Sequence, residues 1–292
     1  MISKAIDFLN LIRFKNILII AFTQSFAYYF LSDNISLDDL LNQQFIFLII
    51  ATILVASAAY IINDYFDLKL DKINKASAVI VGNGISSRMA LFAYWIVNIA
   101  ALCFAYFISF PVFVMVFFCQ LFLWFYSRYF KKMFLIGNIL VAFMASASIL
   151  ILFVFDSNVS KVGLIVYAIF SFVTTLIREI IKDTEDIRGD EKFDCYTLPI
   201  VLGIQKTKNV LIALQVFFII IVTGFLLYTD SLIHSRNVFY CCLYVILFVQ
   251  FPNLIMLYLI YKSDAKKDFT RLSFISKFSM LFGIISMVFW KI

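Results

Sequence analysis

Two runs of aspartates hold the residues most able to do chemistry in this 292-residue chain. The first reads Asn63-Asp64-Tyr65-Phe66-Asp67-Leu68-Lys69-Leu70-Asp71, and the second Lys182-Asp183-Thr184-Glu185-Asp186-Ile187-Arg188-Gly189-Asp190. In each, the aspartates stand at i, i+3 and i+7, and the second set is displaced from the first by 119 residues. On a helix those offsets share one face, so each run directs three carboxylates toward a common point. Like charges so placed repel. Water and the nearby Lys69, Lys72, Lys182 and Arg188 would relieve that at an ordinary surface, whereas at a helix end in a membrane a divalent cation is the more effective partner. Two such faces meeting across a cavity suggest two cation sites. Mg²⁺ takes few carboxylates and shares its shell with phosphate oxygens, so the arrangement suits Mg²⁺ and a diphosphate bridged between the runs.

The elements that must position these runs are apolar. With 64% hydrophobic residues, 18% aromatic, 14% charged and three prolines, the composition excludes an ordinary water-soluble domain. Crossing a hydrocarbon layer of about 30 Å takes roughly 20 apolar residues as helix. Such runs stand near 16–32, 43–62, 89–109, 112–127, 134–155, 162–181, 209–229, 237–261 and 272–290. The fold expected is an all-α polytopic membrane protein of about nine transmembrane helices around a central cavity, forming a single domain over residues 1–292. Only Ser109-Phe110-Pro111 divides the third span from the fourth, where proline marks a tight turn; without that turn the count would be eight. The aspartate runs fall at the ends of the second and sixth spans, opening loops over about 63–88 and 182–208.

Charge gives the orientation. Of the 24 lysines and arginines, 21 lie on the side of the N-terminus and of both aspartate runs, and only Lys161, Arg236 and Lys291 lie opposite. Basic loops stay in the cytoplasm, which predicts a multi-pass cell-membrane protein with its N-terminus and active-site loops cytoplasmic. The net charge of +6 therefore reports topology and lipid contact, not nucleic-acid binding. The basic N-terminal stretch before the first apolar run lacks a small-residue cleavage site and reads as a span, not a signal peptide. Cys103, Cys119, Cys195, Cys241 and Cys242 lack metal-ligand spacing and read as small buried hydrophobes. His234 reads as a solvated residue of an external loop, and Asp33, Asp38 and Asp39 as loop and capping residues.

Taken together, the two runs resemble the signature motifs of the UbiA-type intramembrane prenyltransferases. Those motifs match Asn63-Asp64-x-x-Asp67-x-x-x-Asp71 and Arg178-Glu179-Ile180-Ile181-Lys182-Asp183-x-x-Asp186-x-x-Gly189-Asp190. Arg13 and Asn16 are similar to the family's N-terminal Arg-x-x-Asn, and Tyr126-Ser127, Lys131, Gly137 and Asn138 to its Tyr-Ser…Lys…Gly-Asn stretch. The resemblance implies nine helices, two Mg²⁺ ions and a lipid-facing cavity. It also implies transfer of a prenyl group from a prenyl diphosphate to a lipid or aromatic acceptor. It assigns Asp64, Asp67, Asp71, Asp183, Asp186 and Asp190 to Mg²⁺, directly or through water, with Asn63 in support. Asn16, Lys131, Arg178 and Lys182 become candidates for the diphosphate or the acceptor.

The second run is most similar to the digeranylgeranylglyceryl phosphate synthases, which prenylate a glycerol phosphate lipid; other branches take quinone precursors, haem or chlorophyllide. Where the family commonly reads Asn-Arg-Pro-x-Arg-Pro, this chain has Asn74-Lys75-Ala76-Ser77-Ala78-Val79. Two phosphate-binding forks become at most one point charge, which keeps a non-catalytic lipid-binding relative among the readings. An ion-coupled transporter would also use carboxylates in helices, but nearer mid-membrane and without the surrounding basic residues.

Overall fold

The computed structural model describes residues 2–32, 35–74, 79–232 and 236–290. Lys75 to Ala78 of the altered segment, together with Asp33, His234 and Lys291, lie outside the described residues. The helices are α1 (Ile2–Leu11), α2 (Phe14–Phe30), α3 (Gln43–Asn74), α4 (Ser87–Tyr106), α5 (Phe110–Arg128) and α6 (Ile136–Phe155), followed by α7 (Lys161–Lys192), α8 (Leu198–Leu202), α9 (Ile204–Leu232), α10 (Arg236–Val245), α11 (Phe251–Lys262) and α12 (Lys266–Ile285). No strand element occurs among the described residues. Eight stretches there are long and apolar enough to cross a membrane. α2 has 17 residues, at the short limit for a crossing of roughly 17 to 25, and completes the expected nine. This is a multi-pass membrane protein.

The bundle has three apolar cores, the smallest joining α1, α3 and α4 through Leu11, Ile61 and Ala90; two larger ones hold the rest. One joins α2 to α5 with α6 and the start of α7 through Ala27, Leu48, Ala101, Val112 and Leu152; the other joins α7, α9, α11 and α12 through Ile177, Leu211, Met256 and Phe269. Lipid tails are as apolar as leucine, so burial alone does not drive these helices together. Fully buried alanines such as Ala27, Ala51, Ala101 and Ala105 allow close backbone approach instead. The turn at Ser109 is present: its Oγ accepts from Val112 N at 3.4 Å, and Pro111 stands in the first helical turn, where its missing N–H costs nothing.

Several boundaries differ from the hydropathy reading. α3 and α7 are each 32 residues long, so 63–74 and 182–192 are helix where loops were expected. A helix of that length spans about 48 Å, against a hydrocarbon layer of about 30 Å. Hydropathy stops at the first charge, while the backbone hydrogen-bond ladder continues beyond it and carries both aspartate runs out as rigid helix. The N-terminus contains a separate helix, α1, ended by Arg13 in the left-handed region at φ 52°. The eighth span is interrupted by a π-helical turn over Ile246–Gln250, just ahead of Pro252, which cannot donate into a regular ladder.

A buried polar clasp ties α9, α11 and α12 together. Asn253 donates to Val249 O and to Ser279 Oγ, both at 2.6 Å, and its Oδ1 accepts from Gln215 Nε2 at 2.5 Å. Asn253→Leu removes the side-chain bonds to Gln215 and Ser279, leaving Gln215 only the backbone oxygen of residue 253 at 3.2 Å, and is expected to lower stability by about 1–2 kcal/mol. A thermal scan of detergent-solubilised protein checks this; an unchanged melting temperature would show that the clasp adds nothing.

Candidate active site

A cavity of about 520 Å³ is lined from both of the two larger cores. At its polar end Asp67 and Asp71 of α3 face Asp183, Asp186 and Asp190 of α7, so the structure brings the two runs to one mouth. Asn16, Asn63, Lys131, Arg178 and Lys182 line the same cavity. Asp64 does not. Its carboxylate accepts from Arg13 Nη2 at 3.1 Å, and the guanidinium also stands 4.7 Å from the centroid of the Tyr60 ring. The left-handed turn at Arg13 redirects the chain from α1 into α2, whose Asn16 Nδ2 meets Tyr60 Oη at 3.5 Å.

Lys131 and Asp67 form an ion pair, each side chain only 12% exposed. Lys131 lies on the single 3₁₀ turn Phe130–Lys132 between α5 and α6. That turn rests against Gly137: a Cβ there would fall 2.7 Å from Lys131 Cα and 2.9 Å from Phe130 O, both backbone. The next residue, Asn138, donates from Nδ2 to Asp183 Oδ2 at 2.7 Å. The Gly-Asn pair therefore sets a residue of each charge at the mouth. Further along α7, Asp190 accepts from Thr197 Oγ1 at 3.4 Å, and Asp186 stands 3.9 Å from Lys266 of α12. One turn deeper, Glu179 accepts from Arg178 Nη1 at 2.9 Å and from Lys182 Nζ at 3.1 Å.

The donor set is one of hard oxygens. Asn63 Oδ1 is buried without a hydrogen-bond partner at the wall, beside carboxylates from two helices. Among the described residues, no three of Asp, Glu, His or Cys close into a ready metal cage. Both observations fit a cation that takes few protein ligands and completes its shell with substrate oxygens and water, as Mg²⁺ does. Cys195 also borders the mouth, and burial pushes its thiol up to about 11.

Below the mouth the walls become apolar, with Phe170, Phe218, Val222, Phe225 and Val249. A polar mouth over an apolar chamber suits an amphiphile with an anionic head and a long hydrocarbon tail. Two wall residues escaped the sequence reading. Lys277 stands within α12, inside the ninth apolar run, and Thr175 belongs to neither aspartate motif. A lone lysine inside an apolar run was itself the signal.

Comparison with known proteins places this geometry. Residues 20–280 match the UbiA prenyltransferase family. The digeranylgeranylglyceryl phosphate synthase of Methanococcoides burtonii is 30% identical over 235 residues, covering 80% of each chain. That of Methanosphaera stadtmanae is 29% identical over 231 residues, covering 77% of this chain and 79% of the relative. A solved structure concerning digeranylgeranylglyceryl phosphate synthase aligns with TM-score 0.69 at 24% identity, over 98% of this chain and 99% of the other. A UbiA homologue from Archaeoglobus fulgidus bound to GPP and Mg²⁺ aligns with TM-score 0.62 at 17% identity, over 96% and 99%. The bundle, its paired aspartate helices and a match running almost the whole length of the chain agree: this chain belongs to the UbiA prenyltransferase family.

Proposed function

We propose that this chain transfers a prenyl group from a prenyl diphosphate to the free hydroxyl of a glycerol phosphate lipid, geranylgeranylglyceryl phosphate, with Mg²⁺ as cofactor. The observation that carries the reading is the pair of aspartate helices facing each other over one apolar cavity. The synthases among its relatives, and GPP with Mg²⁺ in the Archaeoglobus homologue, support it.

Asp67 and Asp71 from α3 and Asp183, Asp186 and Asp190 from α7 would hold Mg²⁺, directly or through water, with Asn63 Oδ1 in support. Bound Mg²⁺ draws charge onto the diphosphate and makes it a better leaving group. Asp64 acts from behind, fixing Arg13 beside Tyr60 and Asn16. Lys131, paired with Asp67 at rest, is placed to swing to a diphosphate oxygen as negative charge grows there. The C1–O bond of the donor breaks with its electron pair going to the diphosphate; the acceptor hydroxyl oxygen bonds C1, and its proton passes to the released diphosphate. Phe170, Phe218 and Phe225 keep competing water from the allylic centre and surround the tail.

The test offers purified protein geranylgeranyl diphosphate with geranylgeranylglyceryl phosphate or with an aromatic acid. An ether product from the first supports the reading, whereas product from the aromatic acid alone would move the chain to the quinone-precursor branch. Gly137→Ala should lower turnover about 10–100-fold by displacing Lys131, without loss of α-helical content. Wild-type turnover in that variant would show that the 130–132 turn does not position the site.

The mouth faces the cytoplasm in this proposal, on the strength of the 21 basic residues on its side of the bundle. A cysteine placed at Ser86 should then react with an impermeant thiol reagent from the cytoplasmic side only; labelling from the opposite side would invert the topology.

A further inference from the structure

Lys277 lies three turns into α12, about 16 Å from its start at Lys266, between Phe274 and Phe278. A charge at that depth must face protein or an aqueous cavity, and Lys277 lines the cavity. It makes no hydrogen bond or ion pair among the described residues, unlike Arg13, Lys131 and Lys182. Thr175 and Arg178 line the same cavity from α7, three residues apart and so on one face. Thr175 is 5% exposed, and its Oγ1 has no hydrogen-bond partner. Arg178 spends Nη1 on Glu179, while its buried Nε has none. The charges acting on Lys277 are Arg178 and Arg13, opposed by Glu185 and Glu179. Glu179 is already shared between Arg178 and Lys182, and Asp64 is taken by Arg13. What remains is one whole ammonium, one edge of a guanidinium and one hydroxyl, all able to donate and all turned to one cavity.

Such a set calls for an anion with several acceptor oxygens. It adjoins the aspartate mouth on the side toward the apolar chamber: along α7, Arg178 precedes Asp183 by about 8 Å and Asp186 by about 12 Å. A donor whose diphosphate lies at the aspartates extends its C1 carbon in that direction. In a glycerol phosphate, the hydroxyl next to the phosphorylated carbon is close to the phosphate. A phosphate held at this level brings that hydroxyl to C1.

We propose that Lys277, Thr175 and Arg178 form a second anion subsite that binds the phosphate monoester of the acceptor and so selects a phosphorylated over a neutral lipid. The assignment of this anion to the acceptor rests on the acceptor reading above. The donor's diphosphate has related chemistry, so the test separates the two.

Equilibrium binding needs no turnover. Full-length wild type, K277Q and K277R in nanodiscs are titrated with geranylgeranylglyceryl phosphate, with its unphosphorylated alcohol, and with a non-hydrolysable thiodiphosphate analogue of the donor. K277Q is expected to weaken the phosphorylated lipid about 30-fold, as loss of a charge-assisted hydrogen bond does. K277R should recover most of this, and the affinities for the alcohol and the donor analogue should stay within about twofold. Preserved donor binding also shows that K277Q folds. A wild type without preference for the phosphorylated lipid, a K277Q variant that keeps that preference, or equal weakening of the donor analogue would each overturn the subsite. A wild type that binds the phosphorylated lipid preferentially, loses the preference in K277Q and yet forms no ether product would refute the transfer reading and uphold the subsite.

Discussion

Replacing Asp186 or Asp67 with alanine is expected to lower turnover at least about 1,000-fold while leaving the bundle folded. The size follows from charge: a metal-bridged diphosphate leaving group is worth several kcal/mol in the transition state, and about 4 kcal/mol corresponds to that factor. The fold should survive because neither carboxylate is part of an apolar core. Asp186 stands at the mouth with Lys266 at 3.9 Å, a partly exposed pair of small energetic value. Asp67 is more enclosed, and its removal leaves Lys131 to reach for solvent through the mouth. Turnover measured beside a thermal scan separates the effects. Retained Mg²⁺-dependent transfer in both variants would remove the aspartate runs from the chemistry, and activity lost only in step with unfolding would make them structural. Asp64→Ala should act in the same direction by another route, releasing Arg13 from its carboxylate.

Lys131→Met carries the second large effect, about 100-fold in kcat, the size typical of removing one preorganised donor from a developing oxyanion. Lys131 is fixed from both sides: by its place on the turn that packs on Gly137, and by the pair with Asp67. A methionine keeps the stem and removes the charge. Lys131→Arg should restore part of the rate, since charge returns but the point geometry of the ammonium does not. If the methionine variant raised the KM for the donor alone, with kcat unchanged, Lys131 would bind ground state and transition state equally and would have no part in expelling the diphosphate.

What could be read in the sequence was local. The i, i+3, i+7 spacing, the proline turn at Ser109 and the apolar runs all act within a few helical turns, and the bundle follows them. The pairs that organise the mouth are remote: Lys131 to Asp67 is 64 residues apart, and Asn138 to Asp183 is 45. No periodicity encodes such a meeting. Asp64 was expected to point with Asp67 and Asp71 into the cavity, yet the turn at Arg13 lays a guanidinium over it. A left-handed arginine carries no propensity signal, because that conformation is ordinarily the province of glycine and asparagine. The lengths of α3 and α7 were missed because charges end a hydropathy run without ending a helix, and α1 because ten amphipathic residues are too few and too polar to register as an apolar run.

Mg²⁺-dependent prenyl transfer to a glycerol phosphate lipid is tested by product formation from labelled geranylgeranyl diphosphate. Purified protein with geranylgeranylglyceryl phosphate is assayed with Mg²⁺ and again after chelation, counting labelled ether lipid and pyrophosphate in the same samples. One pyrophosphate is expected per ether formed, and neither without the metal or the acceptor. Ether product undiminished by chelation, or pyrophosphate released with no lipid product in the presence of Mg²⁺ and acceptor, would contradict Mg²⁺-dependent transfer.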